Sequence, residues 1–115
     1  MPIATVFVRS DMEPLDDKSL ARLVPAWAAH SGQPAAHMTV NIVDNIVQAG
    51  AGFALMAWLD LPDLWPGEAV DALQTGLARA LADVFAADLG EVQVITRLVA
   101  SGHVVEDGAI VRWAV

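Results

Sequence analysis

Met1-Pro2-Ile3-Ala4-Thr5-Val6-Phe7-Val8-Arg9 opens the chain, and its reading decides the fold. Ile3 to Val8 is a β-branched and aromatic run that suits a strand, and Arg9-Ser10-Asp11 ends it. Pro2 stands directly behind Met1. Removal of Met1 would make Pro2 the amino terminus, and its nitrogen would then be a secondary amine able to act as base, acid or nucleophile. Every other proline nitrogen in the chain is a tertiary amide with no proton to exchange.

Beyond this strand the apolar period changes. Leu20, Leu23, Val24 and Trp27 fall at i, i+3, i+4 and i+7, with Asp16 and Asp17 where a helix N-terminus favours carboxylates. Pro25 lies inside this pattern and removes the N–H that would bond the carbonyl of Ala21, so a kink is expected there. Ser31-Gly32-Gln33-Pro34 supplies the stop, and Met38 to Val43 alternates as a second strand. Strand, helix and strand within this length make a βαβ unit with parallel strands and a right-handed crossover.

The pattern then repeats. Asn45 to Gly52 is a turn-rich link, and Phe53 to Leu61 is a nearly continuous apolar strand. A cleaner amphipathic helix follows, with Val70, Leu73, Leu77, Leu81, Val84 and Phe85 on one stripe and Gly90 as its expected cap. Val92 to Val99 is a fourth strand, Glu106-Asp107-Gly108 a turn, and Ala109 to Val115 a short final strand. The expectation is one α+β domain over residues 1–115, built from two consecutive βαβ halves of about 1–50 and 51–115. Its mixed sheet has four strands, and both helices lie on one face because each carries a single apolar stripe. Residues 54–59 are apolar on both faces, which suits a strand covered on both sides. Another copy of the chain is the simplest cover.

Composition narrows the partners. The chain of 115 residues is 56% hydrophobic with a net charge of −8, which repels nucleic acid and anionic membrane surfaces. It has no cysteine, which excludes disulfides, zinc–thiolate sites and iron–sulfur clusters. No apolar run approaches a membrane span, and no export signal is evident, so a cytoplasmic location is expected. His30, His37 and His103 lie on three different elements without metal-ligand spacing, and neither a metal nor any other cofactor is expected.

The Pro2 strand, the Gly32-Gln33-Pro34 step before strand two, the doubled βαβ and the Ala100-Ser101-Gly102-His103 segment resemble the tautomerase superfamily over essentially the whole chain. The length is similar to the macrophage migration inhibitory factor type, and Pro2-Ile3-Ala4 is similar to the start of 4-oxalocrotonate tautomerase. The resemblance implies a barrel-like homotrimer, with the C-terminal strand paired onto a neighbour and Pro2 in a pocket at a subunit boundary. It further implies a small-molecule tautomerase in which Pro2 is the general base on an enol or 2-keto acid. Two alternatives stay open: a relative of hydratase or dehalogenase type using protonated Pro2, and a non-catalytic trimer.

Around Pro2, the resemblance assigns substrate-binding positions to Arg9, Gln33, Leu61 and Gln93. Arg9 matches an arginine that some dehalogenase relatives carry at the end of strand one, and a solvated strand-end charge paired with Asp11 is the other reading. Gln33 stands where the migration-inhibitory-factor type has a lysine, so it can donate a hydrogen bond but no charge. Gln93 stands where relatives place a tyrosine or arginine, Ile95 where that type has an asparagine, and Leu61 matches an apolar wall. Arg97 shares a strand face with Gln93 and Ile95, so whichever face is buried carries all three. Trp113 is open between core, intersubunit packing and pocket wall.

Overall fold

The computed structural model describes residues 2–113. Strands β1 (Ile3–Arg9), β2 (Thr39–Ile46), β3 (Leu55–Pro62) and β4 (Val92–Val99) form one sheet in the order β2-β1-β3-β4. β1 runs parallel to β2 and β3 parallel to β4, while the central β1–β3 pair is antiparallel. The two βαβ halves therefore meet along β1 and β3 in a mixed sheet, as expected.

Alternation along these strands sorts the side chains. Ala4, Val6 and Val8 of β1 and Leu55, Ala57, Leu59 and Leu61 of β3 are buried on one face. Helices α2 (Leu23–Ser31) and α3 (Gly67–Phe85) cover that face with Leu23, Trp27, Leu73, Leu77 and Leu81. The buried Trp27 indole N–H donates to the carbonyl of Leu73 at 3.0 Å, so the largest core side chain is also satisfied as a donor. Where α2 ends, Gly76 of α3 lies so close that a Cβ there would sit 2.9 Å from the Ser31 nitrogen. Among the described residues no helix is long and apolar enough to cross a membrane.

The other sheet face is open. It carries Phe7 and Trp58, whose rings meet edge to face at 4.8 Å, with Val43, Met56 and Ile95 beside them. Gln93, Ile95 and Arg97 lie on this face, whereas Val92 and Val94 pack on the core.

Several local expectations need correction. The first helix breaks at Ala21-Arg22, between α1 (Asp17–Leu20) and α2, instead of kinking at Pro25. Pro25 thus falls in the first turn of α2, where its missing N–H has no helical partner to lose. Leu20, counted on the apolar stripe, is exposed as a result. α3 ends at Ala86 and not at Gly90: Ala86 takes a left-handed φ of 54°, with its N–H bonded to Asp83 O and the N–H of Ala87 to Ala82 O. That is a Schellman ending with alanine where glycine is usual. Gly90 instead sits in a 3-10 turn, Leu89–Glu91.

The tail contains one more strand than expected. β5 (Val104–Glu106) and β6 (Ala109–Val111) form a separate antiparallel hairpin around Asp107-Gly108, both at positive φ, the two-residue turn that suits strand twist. The expected strand to Val115 stops at Val111 among the described residues, and positions 114 and 115 lie outside them.

Candidate active site

Pro2 is buried at the start of β1, and its carbonyl accepts a hydrogen bond of 3.0 Å from the N–H of Thr39 at the start of β2. Ile3 stands opposite Asp60, and the antiparallel register carried one residue further puts Pro2 beside Leu61. At this end of the sheet a hollow of about 380 Å³ opens among Ile3, Asp60, Leu61, Pro62, Val99 and His103, with Val104, Val105 and Glu106 of the C-terminal hairpin completing its wall. Its volume and apolar walls suit a small organic molecule.

Gln33 approaches this same end. It follows the Gly32 cap of α2, whose φ is 72°, is half-buried, and donates its backbone N–H to the Ser31 hydroxyl at 3.3 Å. From there the chain passes through the 3-10 turn Ala35–His37 into β2, whose first residue bonds to Pro2.

Arg9 and Gln93 lie at the opposite end. Seven residue steps along the strand separate Pro2 from Arg9, about 23 Å at the usual rise. Gln93 faces Met56 across the β3–β4 ladder, and Met56 faces Phe7, two residues from Arg9. Arg9 Nε donates to Asp11 Oδ1 at 2.8 Å and Nη2 to Oδ2 at 3.2 Å, with Glu91 at 3.9 Å. The hydrogen bonds to Asp11 hold the Arg9 pKa above its ordinary value, and those from Arg9 hold the Asp11 carboxyl below its own. One chain thus brings Pro2, Leu61 and Gln33 to one end of the sheet, and leaves Arg9 and Gln93 at the other.

Arg97 is a nearer cation than Arg9 in the same chain. Its Nε and Nη2 grip Asp60 at 2.9 and 3.0 Å, and its guanidinium lies 4.9 Å from the Trp58 ring centre. The pair with Asp60 holds its pKa above the ordinary value. The Asp60–Arg97 pairing is a consequence of the β3–β4 register, which no local pattern reveals. Trp113 closes the tail onto this end: its indole N–H donates to Asp63 at 2.9 Å and its backbone N–H to the Ser101 hydroxyl at 2.8 Å. His30 pairs with Asp83 at 2.7 Å, and no group of three metal-ligating side chains converges among the described residues.

No protein-family model matches the sequence, and no curated protein matches it as a relative. Solved structures do match in shape. A wild-type fused 4-OT asymmetric trimer superposes with a TM-score of 0.75 at 17% identity, covering 94% of each chain. Pt0534 inactivated by 2-oxo-3-pentynoate gives 0.72 at 20% identity, over 95% of this chain and 94% of the other. N1, a member of the cis-3-chloroacrylic acid dehalogenase family, gives 0.68 at 17% identity, over 95% and 82%. At these identities the likeness establishes the fold alone, which this chain shares with the fused 4-OT and cis-3-chloroacrylic acid dehalogenase family structures.

Proposed function

We propose that this protein is a tautomerase-superfamily enzyme that interconverts a small enol and its keto form, with Pro2 as general base after Met1 has been removed. The observation that carries the reading is the position of Pro2: buried at the start of a central strand, beside a largely apolar hollow of about 380 Å³. A free α-amino group titrates near 8, and burial lowers that by disfavouring the charged form. A neutral secondary amine there takes a proton from carbon or an enol oxygen and returns it at the other position, with no cofactor. Inactivation of a chain of the same fold by 2-oxo-3-pentynoate supports a 2-keto acid or its enol as the substrate class.

The site is completed in a homotrimer. Arg9 and Gln93 can reach a Pro2 pocket only from another copy, since they stand at the far end of their own sheet. The open sheet face also needs cover, as does the hairpin, where the cross-strand pair Val105 and Ile110 is exposed. The trimeric fused 4-OT structures of the same fold support this assembly.

A second reading, a hydratase or dehalogenase working through protonated Pro2, draws support from the shape of the cis-3-chloroacrylic acid dehalogenase family member. One set of measurements separates the two. The intact mass should lack one methionine, and the processed protein should speed ketonisation of phenylenolpyruvate but release no chloride from 3-chloroacrylate. Chloride release without ketonisation would favour the second reading, and a retained Met1 would remove the amine that both require.

A further inference from the structure

A 2-keto acid is an anion at neutral pH, yet the hollow beside Pro2 is walled by apolar side chains, His103 and two acids, Asp60 and Glu106. Some cation has to offset them. The chain has six Lys and Arg residues, and their placement decides which. Arg97 is already held by both oxygens of Asp60, a pair with no net charge. Arg9, whichever copy it comes from, arrives with Asp11 and Glu91 and so brings a net negative cluster. Lys18 and Arg22 follow the far end of β1, and Arg79 is exposed along α3. Arg112 remains.

Arg112 is at the Pro2 end, directly after β6, and has no carboxylate partner among the described residues. Its backbone is fixed on both sides. The carbonyl of Val111 accepts from Gly102 N–H at 3.0 Å, and the N–H of Trp113 donates to Ser101 Oγ at 2.8 Å. Its guanidinium lies against Gly102, where a Cβ would come within 2.9 Å of Nη1. Gly102 immediately precedes His103 in the wall of the hollow.

We propose that Arg112 is the substrate-binding residue that receives the carboxylate of a 2-keto acid at the Pro2 site. The proposal rests on the Pro2 reading for the reaction but not for the binding. A planar guanidinium with open donors matches a carboxylate in two parallel hydrogen bonds, while the hollow takes the apolar remainder. An interaction held equally in ground and transition states changes KM and leaves kcat.

The test compares phenylenolpyruvate with its uncharged methyl ester in processed wild type, Arg112→Ala and Arg112→Lys. Arg112→Ala should raise KM for the acid by about tenfold with little change in kcat, and Arg112→Lys should recover part of it. The preference for acid over ester should collapse in Arg112→Ala. Phenylpyruvate affinity, measured by calorimetry in Pro2→Ala with and without Arg112→Ala, gives a readout independent of turnover. There too the loss should be about tenfold, with the salt dependence of binding reduced. If acid and ester suffer equally, or phenylpyruvate binds Arg112→Ala undiminished, Arg112 does not hold the carboxylate. Slower turnover in Pro2→Ala with intact Arg112-dependent binding supports both assignments. Unslowed turnover with the same binding loss overturns Pro2 alone.

Discussion

Pro2 and Arg9 close the two ends of one strand, about 23 Å apart, with Ile3 to Val8 between them. No pocket within a single chain holds both. Subunits carrying Pro2→Ala and subunits carrying Arg9→Ala should therefore complement when co-assembled, because some boundaries then pair an intact Pro2 with an intact Arg9. Arg9→Ala alone should chiefly raise KM, and by less than Arg112→Ala, since its donors are already shared with Asp11 and Glu91. Mixed oligomers no more active than the average of the two variants would contradict a shared site.

The open sheet face sets the expected assembly. Trp58 is 42% and Ile95 47% exposed in the isolated chain, on a face where Phe7 and Met56 also lie. Light scattering at micromolar concentration should give the mass of three chains. Ile95→Glu should shift the protein to a smaller species, because an unpaired charge cannot enter an apolar interface cheaply. A wild-type monomer would remove the boundary at which the proposed site is built.

Ala86 offers a test of the backbone. Holding alanine in the left-handed region costs about 1–2 kcal/mol, and glycine avoids this while giving back roughly half through its freer unfolded chain. Ala86→Gly should raise stability by about 0.5–1 kcal/mol in urea titration. A loss of stability would mean that the Ala86 methyl matters more than its φ of 54°.

Much of the fold was legible because alternation and helical period report burial directly. The buried set Ala4, Val6 and Val8 is the odd-even pattern of the opening strand, and Leu73, Leu77 and Leu81 are the stripe of α3. Chain breaks were less legible. Pro25 marks a place that cannot be mid-helix but does not say which turn before it yields, and Gly90 offered a cap that Ala86 supplied first. β5, only Val104–Glu106, is too short to show an alternating pattern, although Asp107-Gly108 is a hairpin turn signal in its own right. The candidate site is legible in the sequence mainly through likeness to a known family. Whether Arg97 meets Asp60 depends on strand order and register, which arise from contacts distant in sequence, whereas the distance of Arg9 from Pro2 along β1 follows from the strand rise alone.

Acid stability should show the cap of α1. The Ser19 backbone N–H holds the Asp16 carboxylate, at 2.7 Å, below its ordinary pKa of 3.8. A depressed carboxyl contributes stability that is present above its unfolded value and lost as pH falls through the folded one. The thermal midpoint should therefore fall below about pH 4. In Asp16→Asn, which keeps a capping oxygen but does not titrate, that fall should be shallower. Identical acid limbs for the two proteins would show that Asp16 carries none of it.

Pro2 as general base is tested most directly by the pH dependence of kcat/KM for ketonisation of phenylenolpyruvate, in processed wild type and in Pro2→Ala. The ascending limb in wild type should report an amine below the free α-amino value of about 8, and Pro2→Ala should lose roughly a hundredfold or more in rate and shift that limb. Wild type no faster than Pro2→Ala, with the ascending limb unaltered, would contradict the assignment of Pro2 as the base.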